Sequence, residues 1–363
     1  MAVPAIALQR LAQQRLSQKP FQTPDQVVAW LGAVQAQDYP GAKWALGLRM
    51  QAATDEMIEQ AFNDGTILRT HVMRPTWHFV TPADIRWLLE LTAPRVNAVN
   101  ASMYRQLELD EALFRRTNAV IANAVQGGHF RTRAELGAAL AAAGIVAKGM
   151  RLGYILHRAE LDAVVCSGPR RGKQFTYALL DERAPHARSL PRDEALAELT
   201  RRYYTGHGPA TIRDFVWWSG LTVADAKAGL AMVGSDLAHT VIDGQTYYFS
   251  ASMPLAAEPS AAAFLLPTYD ELVVGFSSFA KSRTAGQEIG QQVVFDSLIV
   301  IGGRIVGSWR RSFNQGAVVI ELAPFAPLSA DEDAAIAAAA QRYGGFVGMP
   351  VRCTSIQSIA HNV

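Results

Sequence analysis

The chain of 363 residues lacks several features that would fix its class at once. It has only two cysteines, Cys166 and Cys353, without metal-ligand spacing or an obvious partner, so we expect buried free thiols rather than a disulfide or zinc site. It has no apolar run long enough to cross a bilayer, and residues 1–15 lack the apolar segment of a signal peptide. These absences predict a soluble cytoplasmic protein without a membrane-spanning segment.

A strong charge is missing as well. The net charge of +2 and the pI near 8.5 exclude a general polycation, so any nucleic-acid binding must use local basic clusters. A P-loop, a dinucleotide fingerprint, a zinc constellation and a nucleophile elbow are all absent from the sequence, and we expect no cofactor. Because half of the residues are hydrophobic, a large core divided among two to four units is expected.

Three successive segments show the same order of helices followed by a β-hairpin, which is the outline of a winged helix-turn-helix unit. We place the units at residues 1–109, with a connecting helix, and at residues 110–188 and 189–258. Helices are predicted at residues 8–16, 24–35, 55–63, 84–91, 111–125, 132–143, 150–161, 192–204, 211–217 and 222–233. Hairpin strands are predicted at residues 67–72 with 76–80, 164–166 with 174–179, and around a turn at 243–244.

The last segment, residues 259–363, has a different pattern, typical of a small β-rich domain. Strands are predicted at residues 264–266, 273–276, 293–301, 304–311, 317–322 and 351–356, with a helix at 331–343 and a mobile loop at 277–290. The predicted fold class is therefore α+β, with three tandem winged helix-turn-helix units and a C-terminal, half-barrel-like β-rich domain.

The triplet Gln35-Ala36-Gln37 is the most informative short motif. Thr23, Pro24 and Gln26 form a capping-box pattern that starts a helix over residues 24–35, and Pro40-Gly41 is expected to end it. Residues i and i+2 of a helix point about 200° apart, so the two amides can converge only where the chain leaves the helix. On local evidence alone, solvated amides at a helix end are the more common outcome.

Four stretches together carry a resemblance to a known family: residues 35–37, 69–78, 211–221 and 265–275. In this order along nearly the whole chain, the sequence resembles the winged-helix DNA glycosylases of the AlkZ/YcaQ type. The resemblance implies a C-shaped protein that clasps duplex DNA and removes bulky alkylated purines. It also implies that this chain belongs with the Gln-x-Gln branch, in which Gln35 and Gln37 are catalytic, rather than with the Gln-x-Asp branch.

The chemistry of such a reaction suits a pair of amides. A purine alkylated at N7 is already a cationic leaving group, so the enzyme must place a water molecule and stabilise the sugar cation rather than protonate the base. Gln35 and Gln37 carry carbonyl oxygens that can accept from that water. Since we find no lysine placed as a lyase nucleophile, a monofunctional glycosylase is expected.

Other residues are candidates with two open interpretations. Asp38 is either a solvated turn residue, which we favour, or a base that activates water. His71 and His78, on opposite strands of the first hairpin, are either hydrogen-bonding histidines or contacts to substrate at one shared site. Asp270 and Glu271 are either a buried network that joins the β-domain to another unit, which we prefer, or an acid/base pair.

Basic residues in the first two hairpins are candidate DNA ligands. Arg69 and Arg74 are predicted to bind phosphates, and the turn that carries Arg170, Arg171 and Lys173 is predicted to clamp the DNA backbone, with a solvated turn as the alternative. The expected partner is double-stranded DNA containing alkylated purines, bound by a monomer in the bacterial nucleoid. The alternative function is a non-catalytic winged-helix transcriptional regulator, although regulators of that kind usually carry one such unit and dimerise.

Overall fold

The structure is a computed structural model that describes residues 3–17, 20–253, 261–277 and 297–355. The first unit consists of α1 (Val3–Gln13), α2 (Pro24–Leu31), β1 (Val34–Gln35), α3 (Tyr39–Gly47), α4 (Asp55–Asp64), β2 (Leu68–Val72), β3 (Thr76–Val80) and the connecting helix α5 (Ile85–Gln106). Its three strands form an antiparallel sheet in the order β1-β3-β2.

The predicted end of the helix before the triplet is wrong. Helix α2 starts at the predicted Thr23 cap, but it ends at Leu31 because Gly32 takes a positive φ of 80°. Pro40 and Gly41 lie in the first turn of α3, where a proline is tolerated because its nitrogen needs no hydrogen-bond acceptor. The connection between the two helices therefore consists of the short strand at residues 34–35 and a bend at residues 37–38.

The second and third units follow the predicted order closely. The second contains α6 (Glu111–Val125), β4 (Arg131–Thr132), α7 (Arg133–Ala142), α8 (Gly149–Leu161), β5 (Val165–Ser167), β6 (Thr176–Leu179) and α9 (Leu180–Arg183). The third contains α10 (Arg192–Gly206), α11 (Ile212–Ser219), α12 (Val223–Val233), β7 (Leu237–Ile242) and β8 (Gln245–Ser250). The order of helices followed by a hairpin thus recurs three times, which is the basis for interpreting the units as winged helices.

The C-terminal segment contains β9 (Ala263–Leu266), α13 (Glu271–Val274), β10 (Leu298–Ile301), β11 (Arg304–Asn314), β12 (Ala317–Pro324), α14 (Ala330–Val347) and β13 (Val351–Ser355). Its five strands are ordered β13-β12-β11-β10-β9, with only the β12 and β13 pair parallel. The fold is α+β, as predicted. The predicted strand at 273–276 is wrong, because Asp270 caps a short helix there by accepting from the Leu272 N–H at 2.9 Å.

Two predicted features of this segment fall on residues without a description. The expected mobile loop at 277–290 lies outside the described residues apart from Ser277, and so does the first part of the strand predicted at 293–301. The half-barrel curvature and the C-shaped arrangement stay predictions.

Two hydrophobic clusters form the interior. One joins the first unit, the third unit, the C-terminal domain and four residues of the second unit, Leu161, Cys166, Leu180 and Ala184, and the other lies within the second unit and α5. Two buried indoles fix strand β9 against its neighbours, because Trp44 Nε1 donates to the Leu265 carbonyl at 2.7 Å and Trp309 Nε1 donates to the Leu266 carbonyl at 2.8 Å. The residues after β9 are thereby held directly behind the triplet. Within the described residues, no helix is both long and apolar enough to span a membrane.

Candidate active site

The triplet lies along the first residues of strand β3. Gln35 pairs with His78 in the β1–β3 register, and the Ala36 N–H donates to the Trp77 carbonyl at 2.7 Å, so the pairing continues past the end of β1. The Gln35 amide contacts Thr76 Oγ1, and the Gln37 amide oxygen accepts from the Trp77 N–H. Both amides therefore reach the start of β3, which brings the two predicted catalytic residues together.

The two amides have different surroundings. Gln37 is exposed, and among the described residues its Oε1 accepts one long hydrogen bond of 3.4 Å, from the Trp77 N–H. Gln35 is 7% exposed, and its Nε2 donates to Thr76 Oγ1 at 3.4 Å. Its Oε1 is buried and has no hydrogen-bond partner among the described residues. Gln37 is thus the amide available to a ligand, and Gln35 is the amide held by the protein.

A buried carboxylate lies behind Gln35. Glu271 is fully buried; its Oε1 accepts from the Gln35 backbone N–H at 2.7 Å, and its Oε2 accepts from Trp218 Nε1 at 2.9 Å. His207 Nε2 is 3.3 Å from the same Oε2. Burial acts to raise the pKa of Glu271, but the hydrogen bonds from His207 and Gln35 hold it below its usual value. Glu271 therefore stays ionised and ties the triplet to the third unit.

His78 and Arg74 complete the buried surroundings. Burial, together with the nearby Arg74 cation, lowers the pKa of His78 to about 3, so the ring is neutral at pH 7. Its Nδ1 lies 2.9 Å from the Thr76 carbonyl and must carry the proton that is donated there. The Arg74 guanidinium lies 5.8 Å from the centre of the Trp217 ring, and its Nε and Nη2 have no hydrogen-bond partner within the described chain.

Comparison with known proteins favours a DNA glycosylase over a transcriptional regulator. A family model described as DNA glycosylase AlkZ-like matches residues 28–346, which include the triplet, both hairpin strands beside it and the Glu271 helix. The chain belongs to the AlkZ-like DNA glycosylase family.

Two relatives within this family are from Streptomyces sahachiroi. The curated interstrand DNA cross-link repair glycosylase of that organism is 25% identical over 324 residues, which cover 83% of this chain and 85% of the relative. The solved structure of the Streptomyces sahachiroi DNA glycosylase AlkZ covers 98% of this chain and 100% of its own, with a TM-score of 0.74 at 21% identity. This chain therefore has the fold of that glycosylase.

The two histidines of the first hairpin of this AlkZ-like chain do not share a site. Directly opposite residues in the β2–β3 register are His71 with Trp77 and Thr70 with His78, so the two rings lie on opposite faces of the sheet. The expectation of one shared site is wrong, because the register of the hairpin places His71 opposite Trp77 and not opposite His78. His71 packs between the rings of Trp77 and His157, at 3.8 and 4.1 Å, with its Nδ1 2.9 Å from Glu160.

The Asp38 side chain contacts the C-terminal sheet. It occupies the N-cap position of α3 without capping it through its side chain, and its Oδ2 is 3.8 Å from the Arg311 guanidinium on β11. This placement fits the turn residue that we favoured, with a weak electrostatic link to the C-terminal sheet.

Arg69 does not have the placement of a phosphate ligand. It is 6% exposed, its Nε donates to the Ala36 carbonyl at 3.0 Å, and its guanidinium lies over the rings of Trp77 and Phe175 at 4.1 and 4.6 Å. Burial lowers its pKa to about 10, which leaves it charged at pH 7. Arg69 thus holds the middle residue of the triplet from the face opposite the amides.

The three cations of the second hairpin turn differ in availability. Arg170 lies 3.5 Å from Glu59 and stacks on Phe175, which links the second hairpin to the first unit. Arg171 forms a 2.8 Å ion pair with Glu135. Lys173 is exposed and has no ion pair within the part of the chain that the structure describes. Lys173 is therefore the most accessible of the three cations.

The most important contact that the sequence did not reveal joins Gln35 to Glu271. The neighbouring acids Asp270 and Glu271 in an apolar stretch did predict a buried network, and this is confirmed: Arg49 binds both oxygens of Asp270 at 2.8 and 2.9 Å. No local pattern in the sequence indicates that the other end of this network is the backbone of the triplet.

Proposed function

We propose that this chain is a monofunctional DNA glycosylase that hydrolyses the N-glycosidic bond of bulky or cationic N7- and N3-alkylpurines in duplex DNA. The name of the curated relative supports the inclusion of purines within interstrand cross-links. The protein acts as a monomer on chromosomal DNA in the bacterial cytoplasm and leaves an abasic site.

The observation that carries this proposal is the neutral, exposed amide of Gln37 beside the buried amide of Gln35. Hydrolysis passes through a sugar with positive charge at C1′, and a water molecule must attack that carbon as the base leaves. The Gln37 carbonyl has one long hydrogen bond and can accept instead from this water. Neither amide donates a proton to a leaving group, so only a base that is already cationic leaves at a useful rate.

The surroundings of the amides fit this division of roles. Gln35 is held at its backbone by Glu271 and at its side chain by Thr76, so it fixes the course of the triplet. Gln37 lies beyond the end of strand β1, is exposed, and makes the contact with water and sugar. We therefore assign Gln37 to the reaction itself and Gln35 mainly to its position.

The rest of the DNA contact is assigned to electrostatics. Lys173 is exposed and forms no ion pair with any described residue, and Arg171, in the same hairpin turn, has a side chain that is 54% exposed. Cations at this position bind phosphates without reading sequence, which suits an enzyme that recognises damage rather than a site. Arg74, whose Nε and Nη2 have no hydrogen-bond partner among the described residues, is the candidate phosphate ligand of the first hairpin.

The proposal is tested with two duplexes, one carrying a single 7-methylguanine and the other a bulkier N7-alkylguanine. The purified protein should release the free modified base and leave an alkali-labile abasic site without cutting the strand itself. DNA binding without release of either base would reject the glycosylase and favour a regulator. Strand cleavage without alkali would reject the monofunctional assignment.

A further inference from the structure

A nearly buried arginine without an ion pair lies behind the triplet. Arg69 is 6% exposed, its Nε donates to the Ala36 carbonyl at 3.0 Å, and it forms no ion pair with a described residue. Its two terminal nitrogens make no hydrogen bond with a described residue, and neither of them is fully buried. Both terminal nitrogens are therefore available to a small ligand.

Glu160 does not neutralise the Arg69 charge by direct contact. Burial lowers the pKa of Arg69 to about 10, and the charge of Glu160 acts in the opposite direction, so the guanidinium is a cation at pH 7. The Glu160 carboxylate is bound instead to His71, from whose N–H it accepts at 2.8 Å and whose Nδ1 lies 2.9 Å away. A nearly buried cation without a direct counter-ion costs free energy, so an anion that reaches Arg69 is stabilised.

The space beside Arg69 has the size and charge of an anion site. A cavity of about 640 Å³ is lined by Arg69, Arg133 and Lys173, and no acidic residue is among the described residues that line it. Arg133 and Lys173 are exposed and form no ion pair within the described parts of the chain. Small-molecule sites in proteins usually measure about 300–1,000 Å³. The cavity is thus large enough for a small organic molecule and has an excess of positive charge.

The remaining walls are apolar apart from one hydroxyl. Ala134 and Leu152 supply aliphatic surface, and the Tyr177 hydroxyl makes no hydrogen bond with a described residue. Burial raises the pKa of Tyr177, so this hydroxyl keeps its proton at pH 7 and can donate it in a hydrogen bond. The Arg69 guanidinium lies 4.1 Å from the centre of the Trp77 ring and covers it, so an apolar ligand body packs on the aliphatic wall instead.

We propose that this cavity binds a small organic oxyanion, a free molecule with one carboxylate or phosphate group on an apolar body. The oxyanion binds the terminal nitrogens of Arg69 and the Tyr177 hydroxyl, and Arg133 adds charge at the opening. A guanidinium presents parallel N–H groups that match either head group. Arg69 lies too deep for the backbone of a duplex, whereas a small molecule can enter. Because Arg69 also holds Ala36, the bound anion adjoins the triplet from behind.

The charge requirement is tested on the wild-type protein by ligand-observed NMR titrations with benzoate, phenyl phosphate and benzamide. Benzamide has the ring and shape of benzoate without its charge. The preferred anion should bind at least about tenfold more tightly than benzamide, because it gains charge-assisted hydrogen bonds. Preference for benzoate or for phenyl phosphate supports the inference and identifies the head group. Anions that bind no more tightly than benzamide would overturn it.

Two variants locate the anion without disturbing the core. Tyr177→Phe removes an oxygen that has no hydrogen-bond partner among the described residues, and Arg133→Ala shortens an exposed side chain. Each should weaken binding of the preferred anion by about threefold to tenfold, and each should keep the wild-type melting temperature and benzamide affinity. Tyr154→Phe and Arg116→Ala are matched controls in the same unit outside this cavity, and both should bind the anion as wild type does.

Arg69→Met tests the buried cation itself, because it keeps an unbranched apolar chain and removes the charge. It should abolish the preference for the anion over benzamide, and a retained preference would overturn the inference. If this variant does not fold, the Tyr177→Phe and Arg133→Ala variants decide the question.

Two further results would assign the anion to another place. Anion affinity that is unchanged in both Tyr177→Phe and Arg133→Ala, or lost in Tyr154→Phe, would place the anion outside this cavity, since Tyr154 lines only a neighbouring one. Release of the bound anion by one equivalent of undamaged duplex would assign the cations of the cavity to the DNA backbone and overturn the small-molecule ligand.

Discussion

The backbone N–H of Gln35 donates a 2.7 Å hydrogen bond to Glu271 Oε1, across 236 positions of sequence. The other oxygen of the same carboxylate accepts from Trp218 of the third unit. One buried charge therefore joins three distant parts of the chain, and one of them carries the proposed catalytic amides. A substitution at Glu271 should therefore lower both the free energy of unfolding and the rate of excision.

Glu271→Gln leaves one carbonyl oxygen where the native side chain has two acceptors. It should lower the free energy of unfolding by about 3 kcal/mol, because a buried donor loses its partner. The excision rate per folded molecule should fall about tenfold, because the Gln35 segment is no longer fixed. Urea unfolding and single-turnover excision measure the two effects.

Asp270→Asn is the matched control for Glu271→Gln. It disrupts the buried pair with Arg49, at 2.8 Å, in the same short segment and should also destabilise the protein. Its excision rate per folded molecule should stay near wild type, because Asp270 does not contact the triplet. Equal rate losses in both variants would mean that Glu271 serves folding alone.

The two amides of the triplet should respond differently to removal. Gln35→Ala deletes a nearly buried side chain and should lower the melting temperature as well as the rate, whereas Gln37→Ala deletes an exposed one and should leave the melting temperature unchanged. Differential scanning fluorimetry beside single-turnover kinetics separates the two. An unstable Gln37→Ala variant would contradict the exposed position assigned to Gln37.

Stability should decrease in mild acid because of His78 and His157. Burial lowers the pKa of each to about 3, whereas an unfolded histidine has a pKa of about 6.5. The unfolded chain therefore binds protons first, and stability falls as the pH drops from about 6.5 towards 3, by about 1 kcal/mol per pH unit for each ring.

Urea unfolding at several pH values should show this slope reduced in His78→Gln and in His157→Gln. The exposed ring of His129 offers a control, since solvent reaches it in both states. A slope that neither buried variant changes would place the acid sensitivity in other groups.

The cations of the second hairpin should separate into one that binds DNA and one that supports the fold. Lys173→Ala should weaken DNA binding at low salt. It should also reduce the slope of the logarithm of the binding constant against the logarithm of the salt concentration by about one, the change expected for the loss of one phosphate contact. Arg170→Ala should mainly destabilise the protein, because it removes the contacts with Glu59 and Phe175. Titrations at several salt concentrations test both, and an unchanged slope for Lys173→Ala would exclude a phosphate contact.

Local signals in the sequence were sufficient for much of the fold. The capping box of Thr132 and Glu135 marks the start of α7, where Thr132 N donates to the Glu135 carboxylate at 2.6 Å. The prediction that Pro40 ends α2 is wrong, because a proline can start a helix as well as end one. Pro40 lies in the first turn of α3, and Gly32 ends α2. The apolar, β-branched residues at 273–276 are typical of a strand. In the structure, residues 271–274 form one buried helical turn behind the triplet instead.

The site was less predictable because its contacts are long-range. Arginine is a common DNA ligand, and the sequence alone therefore favours that role for Arg69. Only the packing of Trp77 and Phe175 around its guanidinium shows that Arg69 is buried. Gln35 and Gln37 were found through a family resemblance. Their unequal exposure depends on the short strand β1 and its register with β3, which the local pattern did not contain.

The central claim is that the neutral Gln37 amide positions the attacking water. Single-turnover excision of 7-methylguanine from a duplex, compared between wild type, Gln37→Ala and Asp38→Asn, with DNA affinity measured in parallel, tests it most directly. We predict a rate for Gln37→Ala at least about tenfold below wild type at unchanged DNA affinity, with Asp38→Asn near wild type. A wild-type rate in Gln37→Ala, or a loss confined to Asp38→Asn, would contradict the claim and assign the water to a carboxylate.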